Sequence, residues 1–232
     1  MNPDTTTPKR RAIVTGVSSG IGQAIARTLL DGGWFVDGIS RSAVTGLGDD
    51  FRHHEIDLAD PRSSALRLAD LPVPQALVHA AGFMFAAPLG ELDPATGARL
   101  WQLHVAASEL LADTFAPRMA AGGRIVLVGS RTSRGAAGRS QYVATKAAMV
   151  GLARSWAAEL APRGITVNVV APGATDTPLL QQPGRASSPP RLPPIGRYIQ
   201  PSEVADLVAY LLSPSAAAIT GQELVICGGA SL

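Results

Sequence analysis

The chain has one cysteine, Cys227, in 232 residues. A single thiol excludes an intrachain disulfide framework and a multi-cysteine metal site. Near the C-terminus it reads as a small buried hydrophobe rather than a nucleophile. No apolar run approaches the roughly 18 residues of a membrane span. The first ten residues are polar and lack the apolar centre of a secretion signal. The expectation is therefore a cytoplasmic protein with no membrane partner and no metal. Charge is scarce as well: charged residues make up 16% of the chain, and the net charge is +2. After Lys9-Arg10-Arg11 no basic run follows, so the triplet reads as a solubilising lead into the first strand. Nothing in the charge pattern points to nucleic acid.

What is present is apolar sequence, 46% of the residues, and 24 glycines. That suits one well-packed domain. Short apolar runs read as strands at Ala12 to Thr15, Trp34 to Ile39, Ala76 to Val78, Arg124 to Val128, Ile165 to Val170 and Glu223 to Ile226, with a weaker one at Arg52 to Ile56. Several are continuously hydrophobic, as parallel strands covered on both faces require. Helical spacing lies between them. Ile21, Ile25 and Leu29 precede a Gly32-Gly33 stop, and further helices cover about Leu100 to Phe115, Gln141 to Leu160 and the stretch opened by Pro201-Ser202-Glu203. Strand–helix alternation over the whole length predicts an α/β, single-domain, doubly wound Rossmann fold with a seven-stranded parallel sheet. Residues 1–10 are expected to be a flexible segment, and 11–232 the dinucleotide-binding and catalytic domain. The proline-rich stretch 181–196 reads either as a loose loop or as a cover over a cleft.

Thr15-Gly16-Val17-Ser18-Ser19-Gly20-Ile21-Gly22 leaves a strand and opens a helix. Glycines at such a turn let backbone amides and the helix N-terminus approach a pyrophosphate. The spacing differs from the common dinucleotide fingerprint, so the turn gains its meaning from its position. Downstream, Tyr142 and Lys146 are four residues apart in a helical pattern and share a face. Free tyrosine is a poor base near neutral pH, and a neighbouring ammonium favours its phenolate.

The segments TGVSSGIG, YVATK at 142–146 and PGATDTP at 172–178 together resemble the short-chain dehydrogenase/reductase family over about Arg11 to Gly229. The resemblance implies that Tyr142 exchanges a proton with substrate and that Lys146 also binds the nicotinamide ribose. It implies that Ser130, at a strand end, holds the substrate oxygen. Twelve residues separate Ser130 from Tyr142, one fewer than is common in the family, with Ser133 as the alternative serine. His104 falls where the family places an Asn that helps hold a relay water. It could serve that relay through its carbonyl or ring, with a titration near pH 6 to 7, or it could simply be packed. The family's two Asn before Ala-Gly are here His79 and Ala80, and His79 reads as structural.

For the cofactor, the resemblance assigns Gly16, Ser18, Ser19, Gly20, Ile21 and Gly22 to the phosphates, Asp57 and Leu58 to the adenine, and Ala80, Ala81 and Gly82 to the ribose. Pro172, Gly173, Thr175 and Thr177 fall to the nicotinamide. The second strand closes in Ser40-Arg41, where an acidic residue would favour NAD; Arg41 favours the 2′-phosphate of NADP. The expected activity is NADP-linked interconversion of a carbonyl and a secondary alcohol of a small molecule, in a homodimer or homotetramer. The alternatives are an NAD-linked alcohol dehydrogenase and a nucleotide-binding regulator with little catalysis.

Overall fold

A computed structural model describes residues 9–182 and 188–232. Most of the N-terminal segment and the centre of the proline-rich stretch lie outside these residues. Seven strands, β1 (Arg11–Thr15), β2 (Phe35–Ser40), β3 (Phe51–Glu55), β4 (Ala76–His79), β5 (Arg124–Val128), β6 (Thr166–Pro172) and β7 (Glu223–Ile226), form one sheet. Their order is β3-β2-β1-β4-β5-β6-β7 and every pairing is parallel. Winding proceeds outward in both directions from β1 and β4, which leaves a crevice beyond their C-terminal ends.

Alternation along each strand feeds two cores, one per face. Ala12 and Val14 of β1 face one side with Val126 and Val170, under α1 (Gly20–Asp31) and α6 (Pro201–Leu212). Ile13 faces the other with Leu77, Ile125 and Val167, under α4 (Ala107–Phe115) and α5 (Ser140–Leu160). Helix α1 stops as the Gly32-Gly33 pair predicts. Trp34 N–H bonds Leu29 C=O and Gly33 N–H bonds Leu30 C=O, with Gly33 at φ +76°.

Two further helices were not anticipated at these places. α2 (Pro61–Ala69) is short and carries two serines and two arginines, so its apolar period is faint; Asp60 caps it by accepting from Ser63 N–H. α3 (Pro94–Trp101) starts six residues before the expected helix, at an Asp93-Pro94 cap in which Asp93 accepts from Ala95 and Thr96 N–H. Between α3 and α4 the helix widens into a π segment, Gln102–Ala106, where Ala107 N–H reaches back to Gln102 C=O. The wider turn leaves Leu103 C=O to His79 Nε2, 3.0 Å away, and His104 C=O receives the Ser108 hydroxyl at 2.6 Å. Side chains entering the backbone ladder in this way account for the widening.

Candidate active site

The cleft lies at the C-terminal ends of β1, β4, β5 and β6. It has a volume of about 140 Å³ and is lined by Ser130, Tyr142, Lys146 and His104, together with Ile21, Ala80, Gly82, Pro172, Gly173, Thr175 and Thr177. These residues, from Ile21 to Thr177, are brought together from strand ends, from the start of α1, from the π segment that holds His104 and from α5, which carries Tyr142 and Lys146.

The glycine turn forms one wall. Gly16 has φ +74°, and a Cβ there would lie 2.9 Å from the Ala81 backbone. Ser19 begins α1 without capping it through its side chain, and the first turn has no acidic residue. By contrast, α2 and α3 are capped by aspartates, and α6 carries the Gln200–Glu203 capping box. The positive end of α1 is thus left without an internal counter-charge, which fits a phosphate. Gly20 brings the turn against Thr177, whose Cγ2 would lie 3.2 Å from an added Cβ. Thr175 is buried and donates to Gly173 C=O at 3.2 Å, and Thr177 donates to Thr175 C=O at 3.3 Å.

Other cofactor candidates lie outside this lining, along the ends of β2 and β3. Ser40 is buried and donates to Ser42 C=O at 2.8 Å, with His53 Nε2 at 2.9 Å; Arg41 is exposed. Asp37 turns away, buried between Arg11 and His54. Asp57 is exposed, whereas the Leu58 side chain belongs to the core.

Ser130 closes β5. Its hydroxyl lies 2.9 Å from Thr132 Oγ1 and accepts from Thr132 N–H at 3.2 Å. Ser133, the alternative serine, donates to Glu223 and does not line the cleft. Tyr142 and Lys146 are one turn apart on α5, and Lys146 Nζ lies 5.8 Å from the centre of the tyrosine ring. Lys146 is only 4% exposed; its ammonium donates to Val128 C=O at 2.9 Å, and burial pushes its pKa down to about 7.

His104 is held at both ring nitrogens. Phe83 N–H can only donate, and it points to Nε2 at 3.2 Å, so Nε2 is bare and Nδ1 carries the proton to Thr145 Oγ1 at 2.8 Å. Thr145 passes its own hydrogen to Tyr142 C=O at 2.8 Å. Burial, with Lys146 and His79 nearby, holds His104 well below the usual histidine range. Of the two readings of His104, these bonds and the lowered pKa favour the packed one over a titration near pH 6 to 7. His79 joins the same structure. Its Nε2–H donates to Leu103 C=O, and its Nδ1 accepts from Thr15, whose oxygen accepts from Ala80 and Ala81 N–H at 3.0 Å each. This bridge ties the glycine turn to the 80–82 turn and the π segment.

Thr132 and Thr145 were not singled out from sequence, although Thr145 stands three residues after Tyr142, where a hydroxyl can bond back to the tyrosine carbonyl. Arg131, Arg139 and Arg191 also line the cleft and carried no sequence signal.

The model of a family described as enoyl-(acyl carrier protein) reductase matches residues 67–231. The cis-4-hydroxycyclohexanecarboxylate dehydrogenase of Sinomonas cyclohexanicum is 36% identical over 95% of this chain and 96% of its own. The 3-oxoacyl-(acyl-carrier-protein) reductase of Vibrio cholerae is 33% identical over 94% and 96%. Among solved structures, a short-chain dehydrogenase from Burkholderia cenocepacia in complex with NADP superposes with a TM-score of 0.88, at 34% identity, covering 96% of this chain and 98% of that one. With the sheet order, the glycine turn and the Tyr142–Lys146 pair, these likenesses settle the family: the chain is a member of the short-chain dehydrogenase/reductase oxidoreductases.

Proposed function

We propose that residues 11–232 form the dinucleotide-binding and catalytic unit of an NADP-preferring oxidoreductase that interconverts a carbonyl and a secondary alcohol of a small molecule. The observation that carries the reading is the meeting of Ser130, Tyr142 and Lys146 in one cleft beside the uncapped N-terminus of α1. Relatives whose names specify a hydroxycyclohexanecarboxylate and a 3-oxoacyl group support the reaction class, and the neighbour holding NADP supports the cofactor.

Bound NADPH supplies the hydride. The Gly16–Gly22 turn, with Ser18, Ser19, Gly20 and Ile21, receives the pyrophosphate on backbone amides. Arg41 faces the 2′-phosphate and Ser40 closes that edge, while Asp57 and Leu58 border the adenine and Ala80, Ala81 and Gly82 the ribose. Pro172, Gly173, Thr175 and Thr177 hold the carboxamide side of the nicotinamide. The preference for NADP follows from the absence of a carboxylate at the end of β2: Asp37 is engaged with Arg11 and His54 and cannot meet a ribose.

At the reacting carbonyl, the Ser130 hydroxyl donates to the oxygen, and Thr132 N–H, bonded to Ser130 Oγ, fixes its position. Tyr142 gives that oxygen a proton as charge develops on it; in oxidation the same proton returns to Tyr142. Lys146, when protonated, favours the phenolate left behind and binds the ribose. His104 holds α5 through Thr145 rather than carrying protons. Family membership supports a homodimer or homotetramer and a cytoplasmic location.

The test is an equilibrium titration with NADPH and with NADH at matched salt, following nicotinamide fluorescence. Tighter binding of NADPH, weakened about tenfold by Arg41→Ala with NADH unchanged, is expected. Preference for NADH would overturn the assignment of Ser40-Arg41, and binding of neither would overturn the oxidoreductase reading of this cleft.

A further inference from the structure

Three arginines, Arg131, Arg139 and Arg191, line the cleft, and no Asp or Glu is among its described lining residues. The cofactor's anions do not account for them, because those are assigned to the glycine turn and Arg41 at the ends of β1 and β2. Arg131 directly follows Ser130, and Arg139 precedes Tyr142 by three residues at the start of α5. Arg191 enters from the segment that follows β6. Two of the three are positioned. Arg131 Nη1 donates to Ala230 C=O at 3.2 Å, and Arg139 donates to the Ser188 hydroxyl at 2.7 Å and to its carbonyl at 3.1 Å. Phe83, Met84 and Leu179 add an apolar strip to a wall that otherwise carries the hydroxyls of Ser130, Thr132, Thr175 and Thr177.

A cleft that combines an apolar strip, the Tyr142 phenol and three guanidinium groups selects a substrate with a negative end and an apolar middle. We infer that the substrate is a keto acid or hydroxy acid whose carboxylate docks on Arg139 and Arg191, with Arg131 adding charge, while its carbonyl or alcohol carbon meets Ser130 and Tyr142. Planar guanidinium forks match a planar carboxylate, and such bonds keep more of their strength in a cleft partly shielded from water. The carboxylate is unchanged in the reaction; hydride goes to the carbonyl carbon and the proton from Tyr142 to its oxygen. The inference rests on the oxidoreductase reading of the same cleft.

The experiment compares 4-oxocyclohexanecarboxylate and 5-oxohexanoate with their methyl esters, with NADPH in excess. The acids are expected to exceed their esters in kcat/KM by tenfold or more. Arg191→Ala, at an exposed position, and Arg139→Gln should each reduce that acid-to-ester ratio about tenfold. Cyclohexanecarboxylate should inhibit competitively against the acids. Equal or better reduction of the esters would overturn the carboxylate assignment while leaving the reductase intact, as would inhibition by inorganic phosphate but not by cyclohexanecarboxylate. A protein that binds NADPH yet reduces neither acid nor ester would remove the reductase reading, and this inference with it.

Discussion

The imidazole of His104 stands edge-on to the phenol of Tyr142, with ring centroids 5.6 Å apart and planes at 83°. Because both nitrogens are occupied, by Phe83 N–H and Thr145 Oγ1, the ring is a strut that holds α5 against the β4 turn. His104→Ala should lose about 2 to 4 kcal/mol of stability through the cavity and the two orphaned bonds. His104→Gln should keep the pH dependence of kcat/KM unchanged between pH 5 and 8. An inflection near pH 6 to 7 present in the parent and absent in His104→Gln would contradict the packed, neutral assignment.

Ser130 and Ser133 separate cleanly. Ser130→Ala should lower kcat/KM by about 100-fold or more, as loss of an oxyanion donor does. Ser133 is held by Glu223 away from the cleft, and Ser133→Ala should stay within threefold in steady-state assays. A reversed pattern would transfer the role to Ser133.

Acid should weaken the fold through His79. Burial lowers its pKa to about 4, against 6.5 when free, so the unfolded chain binds more protons over that interval. Stability is then full above pH 6.5 and falls as the pH drops towards 4, by on the order of 3 kcal/mol from this group. Urea denaturation at pH 7.5 and pH 5 measures it. His79→Asn should flatten the dependence; a parent protein more stable at pH 5 would contradict the sign.

Gly82 faces His104 so closely that an added Cβ would sit 2.8 Å from Nε2. Gly82→Ala should therefore disturb the site from outside the catalytic groups, lowering the melting temperature and weakening NADPH binding together. Calorimetric melting and the fluorescence titration read both, and an unchanged pair of values would show that the cleft yields there.

The positions of the strands and the main helices were legible because continuous apolar runs such as Arg124 to Val128 and the Ile21, Ile25, Leu29 period each carry their geometry locally. α2 was not, since Pro61–Ala69 is nearly as polar as a loop and is held by its Asp60 cap and by packing on α4. The start of α3 was present in Asp93-Pro94, but the π turn depends on His79, 24 residues from Leu103 in sequence. Tyr142 and Lys146 could be paired from helical spacing alone. The choice of Ser130 over Ser133 needed the bond from Ser133 to Glu223, 90 residues away. The arginine rim was invisible because its members come from three separate segments and meet only in the folded chain.

The central claim is that Tyr142 moves the proton. The most direct measurement is turnover by Tyr142→Phe with saturating NADPH and a ketone that the parent reduces, alongside NADPH binding by the same preparation. Intact binding with turnover reduced by at least 1000-fold is the predicted result. Parental turnover in a variant that binds NADPH normally would contradict the account and move the proton donor elsewhere in the cleft.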